Sequence, residues 1–442
     1  MIVRLSKPHD EVEAVIIGAG VIGASIGYEL ARRGWTTLNV DAGPAAGYGS
    51  TSSSSAIVRF TYSTHDGVAM SWEGLHYWLN WAEHIGDVDE RGLAQLVQCG
   101  MLLLKDASGH HHTVLPLFDR IGVPYEDLDT AGLAARMPEL DLGAFGAATA
   151  VDDEAFGAEA IDQVEGAIWS PDAGYVDDPQ LAAHNLQRAA EAQGGRFRFG
   201  TRVTSVDSHE GQVRGVTFED GSGVAARVVV NAAGPHSARV NAMAGLEGTM
   251  RIVTQPLRHE SHHVPVPEQL DFDHRGSVVA DTASGVYFRP QAGNHILVGS
   301  TDPACDEREW VEDPDEFNRS VTEAQFTTQV MRLARRMPDV GVPNRRQGVA
   351  DLYDVSDDWI PIYDRTDLDG FYVAIGTSGN QFKNAGVVGH CMAELITAVE
   401  AGHDHDAAPL RVTGRWTGLE MNLGTFARNR EINPDSSFSV AG

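Results

Sequence analysis

Gly18, Gly20 and Gly23 stand in G-x-G-x-x-G spacing, and Asp41 follows 23 residues after the first of them. That set is suited to holding a dinucleotide. Gly18 permits a tight turn, Gly20 lets the backbone approach a pyrophosphate, and Gly23 lets a helix pack closely on its strand. The pyrophosphate then sits at the helix N-terminus, facing unsatisfied N–H groups. Asp41 is placed to accept hydrogen bonds from a ribose hydroxyl. The triplet by itself does not choose between NAD and FAD.

Other residues offer chemistry with a plainer reading beside it. Arg59 interrupts the apolar stretch Ala56–Phe60, as a core ion pair or as an anion site. His259-Glu260-Ser261-His262-His263 satisfies H-E-x-x-H, a zinc-protease pattern that needs both histidines one helical turn apart. Pro256 precedes it and Val264-Pro265-Val266-Pro267 follows, which opposes a helix. On a strand the two histidines would stand about 13 Å apart, too far for one zinc. The three histidines of Gly109–Thr113 cannot easily share one metal, and the segment is expected to be a polar turn.

These residues need elements to position them. Ala14–Ile17 reads as a buried parallel strand, Ala24–Arg33 as a helix stopped by Gly34, and Thr36–Val40 as a second strand ending on Asp41. This strand–helix–strand setting opposes a βα turn without a ligand. Residues 43–55 are small and polar, a loop able to press on a flat ligand or a flexible surface linker. Helices are expected over 66–84, Thr130–Arg136 and Pro179–Gln193, the last with proline at its first position. Met101–Leu104, Arg196–Phe199, Val203–Asp207 and Val213–Phe218 read as strands, with turns at Glu210-Gly211 and Asp220-Gly221. A buried strand from Arg227 runs into Ala232-Ala233-Gly234, leaving room for a cofactor at its carboxyl end. Val278–Ala280, Val286–Phe288 and His295–Val298 suggest an antiparallel sheet, and 313–337 a helix. Phe371–Ile375 is expected as a strand, Gly376–Lys383 as a loop, and Asn384 as the cap of a helix from Ala385 to Val399.

The chain has 442 residues, more than one ordinary core, so two intertwined domains are expected. The net charge of −29 opposes nucleic acid and anionic membranes as partners. No apolar run approaches the roughly 18–20 residues of a membrane span. Asp10, Glu11 and Glu13 sit where a signal peptide would be basic, and Cys99, Cys305 and Cys391 fit reduced thiols. A cytoplasmic location is expected. Only three lysines occur, Lys7, Lys105 and Lys383, so the position of Lys383 is notable.

The sequence resembles the glycine/D-amino-acid oxidase-like (DAO) flavoproteins, within them the sarcosine oxidase and dimethylglycine dehydrogenase branch. Five ordered motifs carry the resemblance: GAGVIGASIGYELARRG at 18–34, VVVNAAGPHS at 228–237, YFRPQAGNHILVGSTD at 287–302, DLYDVSDDWIPIYD at 351–364 and GFYVAIGTSGNQFKNAGVVG at 370–389. It implies an α/β fold, a Rossmann-like FAD-binding domain with an inserted α+β substrate domain on an antiparallel sheet. Residues 1–90, 150–245 and 340–442 would form the first domain, and 91–149 and 246–339 the second.

By the same resemblance the cofactor is FAD, since GTSGNQFK is similar to the segment that wraps the flavin. Gly18, Gly20, Val21, Ile22, Gly23 and Asp41 would hold its ADP half, and Ser50, Thr51 and Arg59 would pass the flavin. Val203 would contact the adenine region, and Ala233 and Gly234 the pyrophosphate or ribityl chain. Gly376, Ser378, Gly379, Asn380, Gln381 and Phe382 would approach the ring. Arg59 and Lys383 match the pair that grips the substrate carboxylate in monomeric sarcosine oxidase, and Tyr287 its active-site tyrosine.

Three positions depart from that pattern. Asp351 replaces the cysteine that attaches FAD, and no histidine occurs in 50–55, so non-covalent FAD is expected. Leu297 and Thr301 replace the oxygen-activating lysine and a nearby histidine. The implied reaction oxidises the C–N bond of an amino acid or N-methyl amine, by hydride transfer to flavin N5, to an imine that hydrolyses. The acceptor is O2 or an electron-transfer partner. A D-amino-acid or cyclic imino-acid oxidase, and a flavoprotein subunit of a larger dehydrogenase, are the alternatives, with the oligomeric state left open.

Overall fold

The computed structural model describes residues 10–86, 88–107, 109–434 and 436–442; Lys7 lies outside them. An eight-stranded sheet is built around Asp10–Ile17, which pairs in parallel with Thr37–Val40 on one side and Gly223–Asn231 on the other. Arg196–Arg198 extends the sheet beyond Thr37–Val40, and Phe371–Ile375 pairs in parallel with Val229–Asn231. Ala14, Val15 and Ile16 have no exposed surface, as a strand covered on both faces requires. The helix Val21–Arg32 packs against the helices Pro179–Ala192 and Ala385–Glu400 on one face of this sheet. Val203–His209 and Gln212–Phe218 form a hairpin, and Gly215–Thr217 of its second strand pair antiparallel with Gly223–Ala225 at the start of Gly223–Asn231. Its turn places both Glu210 (φ 52°) and Gly211 (φ 76°) at positive φ, the turn that matches strand twist.

A nine-stranded sheet forms the second layer. Thr254–Pro265 pairs with Gly348–Ser356, His295–Ser300 and the short Glu309–Trp310. Val286–Gln291 and Val278–Asp281 continue it, followed by Met101–Leu104, Gly166–Ser170 and Glu126–Asp129. Two strands depart from the segmentation expected from sequence. Gly166–Ser170 and Gly348–Ser356 pair here, although 150–245 and 340–442 were assigned to the first domain. Pairing across more than 60 residues leaves no mark in the local pattern of an apolar run.

The helix Pro179–Ala192 forms where expected. Asp178 accepts a hydrogen bond from Leu181 N at 2.9 Å, which satisfies one of the helix's first amides. Asp178→Ala should lower stability by about 1 kcal/mol. A lower urea midpoint at unchanged slope would be the measured sign.

Several local expectations fail for identifiable reasons. His110–Ile121 is a helix, not a polar turn: Gly109 takes a left-handed conformation before it, and His111, Val114 and Phe118 form its buried face. Residues 313–322 are not helical. Arg258 donates to Asn318 O (2.7 Å) and Ser320 O (2.8 Å), and Glu260 accepts from Thr322 N, so those backbone groups are spent before Thr322 caps Glu323–Arg336. The expected helix over 66–84 is broken at Asn80 into His65–Leu79 and Trp81–Ile85. Asn384 precedes Ala385–Glu400, but its side chain donates to Gln381 Oε1 at 2.7 Å instead of capping. The H-E-x-x-H residues lie on the strand Thr254–Pro265, with His259 opposite Asp351 and His263 opposite Leu297. The helical turn on which that zinc pattern depends is replaced by extended backbone.

Candidate active site

One cavity runs between the two sheets. Gly20, Val21 and Ile22 line it together with Ala232, Gly234 and the loop residues Gly379, Asn380, Gln381, Phe382 and Lys383. Met101, Leu103, Val278, Ala280 and Tyr287 of the second sheet form a further wall.

The glycines work by removing Cβ atoms. Gly18 has φ +117°, and a Cβ there would lie 2.2 Å from Ala232 O; at Gly23 it would lie 2.3 Å from Gly18 O. The two carboxyl-end turns can therefore close on one another. The helix Val21–Arg32 starts without a side-chain cap and without an acid in its first turn. The amide dipoles of its first turn suit an anionic group. Asp41 lies beside this start: Oδ2 accepts from Ala19 N and Oδ1 from Gly43 N, each at 2.7 Å.

Residues 43–55 are not a linker. Thr51 Oγ1 accepts from Val21 N (3.1 Å), Gly47 N donates to Ala19 O (2.8 Å), and Ser50 Oγ donates to Leu352 O (2.7 Å). Ser50 and Thr51 line the cavity. Val203 does not; it pairs with Phe218 at the start of its strand, two residues from Thr201, whose N–H donates to Asp41 O. Ala233, Gly376 and Ser378 sit just behind the lining. Ala233 N donates to Asn231 Oδ1, and Ser378 N to Asp354 O.

The loop ending at Lys383 is held from below by stacked rings. Phe382 lies 5.5 Å from Trp78 at 8°, Trp78 lies 4.4 Å from Trp81 at 28°, and Trp78 Nε1 donates to Lys383 O at 2.7 Å. Lys383, 2% exposed, thus points its ammonium into the buried space, where it donates to Asn380 O at 2.6 Å. Burial, and then the Arg59 charge, hold that ammonium well below its ordinary range. Arg59 is 9% exposed; Nη1 donates to Thr61 O and Oγ1 (2.7 and 2.9 Å) and Nη2 to Val440 O (2.5 Å). Both cations lie within 4.9 Å of the Tyr62 ring centroid. Among the described residues every hydrogen-bond partner of the pair is neutral, which opposes the reading of Arg59 as a core ion pair.

Tyr287 reaches the same cavity and shares a hydrogen bond with Ser55 Oγ at 2.9 Å. Gly299 stands opposite it in the sheet, and a Cβ there would come within 2.5 Å of the Tyr287 hydroxyl. Thr301 lines the cavity, whereas Leu297 is buried in a small apolar cluster with Tyr287, Trp359 and Val440. Asp351 accepts from Ser53 Oγ (2.7 Å).

Sequence reasoning missed His110, Tyr353 and Asp354, which also line the cavity. Asp354 is 2% exposed; one oxygen accepts from Gly376 N at 2.6 Å and the other has no direct partner. Burial pushes its carboxyl up to about 7. The signal for it was the second acid of DLYDVS, set between Tyr353 and Val355.

The sequence matches the family described as FAD dependent oxidoreductase (DAO) over residues 13–395. The chain belongs to the DAO family. It is an FAD-dependent oxidoreductase, and the glycine turns and the helix start at Val21, which carries no acid, are the groups of this DAO protein that fit the cofactor. Glycine oxidase of Geobacillus kaustophilus is 26% identical over 412 residues, covering 91% of this chain and 96% of its own. FAD-dependent oxidoreductase domain-containing protein 1 of Bos taurus is also 26% identical, over 88% of this chain and 82% of its own. Among solved structures, glycine oxidase from G. kaustophilus superposes with a TM-score of 0.73 at 22% identity, covering 96% of this chain and 100% of that one. L-Proline dehydrogenase from P. horikoshii gives 0.72 at 22% identity, covering 88% and 94%. These similarities show the DAO fold. Among the described residues no helix is long and apolar enough to cross a membrane.

Proposed function

We propose that this enzyme oxidises the C–N bond of a small amine that carries a carboxylate, either an amino acid or an N-methylated relative. The observation that carries the reading is the Arg59–Lys383 pair, two buried basic groups at one cavity whose partners among the described residues are all neutral. An incoming carboxylate would supply the missing charge through charge-assisted hydrogen bonds, roughly twice as strong as neutral ones. Non-covalently bound FAD supplies the two-electron acceptor. Arg59 and Lys383 orient the substrate, Tyr287 and Tyr353 flank its amine, and the second sheet's apolar wall keeps water from the reacting carbon. The imine product hydrolyses in water. The relatives' names, glycine oxidase and L-proline dehydrogenase, are in keeping with such substrates.

Leu297, at the position matched to an oxygen-activating lysine, supports an electron acceptor other than O2. Mixing the yellow protein anaerobically with sarcosine, proline, glycine and D-alanine should bleach the flavin with at least one of them. Admitting air should restore the colour slowly, and an added quinone or dye quickly. Bleaching by amines without a carboxylate, and by none of the four, would overturn the proposal. Rapid reoxidation in air would make the enzyme an oxidase.

A further inference from the structure

Residues 436–442 return to the cavity. Ser436 Oγ donates to Asp358 O (2.5 Å) and Arg308 Nη2 to Phe438 O (2.7 Å), while the Arg308 guanidinium lies over the Trp359 ring at 5.2 Å. Val440 is buried among Leu257, Tyr287, Leu297, Val355 and Trp359, an apolar set that belongs to the second sheet and its neighbour. Val440 and Ala441 line the cavity. Gly442 lies so close to Tyr62 that a Cβ would come within 2.6 Å of the ring. The segment is therefore seated by polar anchors, an apolar contact and a glycine-only approach, each from a different residue.

Its most telling contact is with Arg59. A guanidinium has five N–H donors. Thr61 takes two of them through Nη1, and the Val440 carbonyl takes one from Nη2. Nε–H and one Nη2–H remain for a ligand. Thr61 and Val440 lie 379 residues apart in sequence, and between them they determine which edge of Arg59 stays available.

We propose that residues 436–442 are a wall of the substrate site, with Val440 positioning Arg59 for its carboxylate and Ala441 setting how bulky a ligand fits beside it. This rests on the carboxylate reading of the Arg59–Lys383 pair. It makes the segment a determinant of specificity, and of selectivity by size in particular. One methylene in a well-packed pocket changes discrimination about 10–200-fold, so a larger side chain at 441 should have a readable effect.

The test uses the full-length, FAD-loaded enzyme titrated with acetate and with benzoate, each followed by the shift in the flavin absorbance spectrum. Ala441→Leu should raise the benzoate-to-acetate ratio of Kd at least about tenfold, and Ala441→Gly should lower it. Deletion of 436–442 should weaken acetate about tenfold through the released Arg59, and should bring the two ligands closer together. An unchanged ratio in both Ala441 variants, at normal FAD content, overturns the proposal whether or not the deletion variant folds. Arg59→Met distinguishes the underlying reading. If that variant binds acetate as tightly as the parent, the carboxylate site fails. The wall is then judged by the methylamine-to-benzylamine ratio in Ala441→Leu, which must change by the same factor for the wall to stand.

Discussion

Replacing Lys383 by methionine raises KM for a carboxylated amine about a hundredfold and moves kcat much less. A hydrogen bond to a charged group contributes roughly 1.5–3 kcal/mol, and 1.4 kcal/mol is a factor of ten. The ammonium contacts a part of the substrate that does not react, so its loss removes binding that ground state and transition state share. Arg59→Met should do the same, and Arg59→Lys should rescue little, because a point charge cannot bond Thr61, Val440 and a carboxylate in one plane. The two cations share one anion, so the double variant should lose less than the sum. The pH dependence has a definite sign. Burial and the neighbouring guanidinium lower the Lys383 pKa in the empty site. A bound carboxylate raises it, so binding takes up a proton and affinity falls as pH rises. Steady-state kinetics on the parent and Lys383→Met across pH would show that slope in the first and not in the second. An unchanged KM in Lys383→Met would remove the residue from the site.

Asp354→Asn should stabilise the protein at pH 8 and change it little at pH 4. Burial raises the Asp354 carboxyl from its ordinary 3.8 to about 7. A folded-state pKa above the unfolded one favours folding fully below the unfolded value, and that contribution is lost as pH rises through the folded one. Between pH 4 and 7 the parent should lose about 4 kcal/mol relative to the amide variant, at 1.36 kcal/mol per pKa unit. The amide oxygen can still accept from Gly376 N, the bond the carboxylate makes at 2.6 Å. Unfolding free energies of the two proteins at pH 4, 6 and 8, with FAD in fixed excess, should already separate by pH 6, by roughly 2 kcal/mol, and the gap should level off above pH 7. Parallel curves would show that the carboxyl is charged in water-like surroundings. The same position ties the second sheet to the loop after Phe371–Ile375, because Ser378 N donates to the Asp354 carbonyl. Loss of that tie would appear as weaker FAD binding, a separate readout.

The fold class was legible because its signals are contiguous. Gly18, Gly20 and Gly23 announce a strand–turn–helix unit whose steric demands arise within a few residues, and the strand Met101–Leu104 and the helix Thr130–Arg136 stand where their patterns put them. Local reading failed where a distant group claims the backbone. Residues 313–322 could continue a helix by their own preferences, but Arg258 and Glu260, some 60 residues away, bind their polar groups instead. His110–Ile121 hid its helical period behind three polar histidines and Pro116, although His111, Val114 and Phe118 share one buried face.

By itself the sequence determined the nucleotide-binding turn, because glycine's missing Cβ is a property of single residues at short spacing. It also determined the family, through five ordered motifs, and with the family the FAD cofactor. Only the tertiary structure decided that Arg59 has no acid beside it among the described residues, that Val440 completes its surroundings, and that Asp354 is shut away from water. Charge state and hydrogen-bond partners depend on which atoms lie within a few ångströms. For residues 59, 383 and 440 those neighbours include groups more than 300 positions away, brought together only when the chain folds around the cavity.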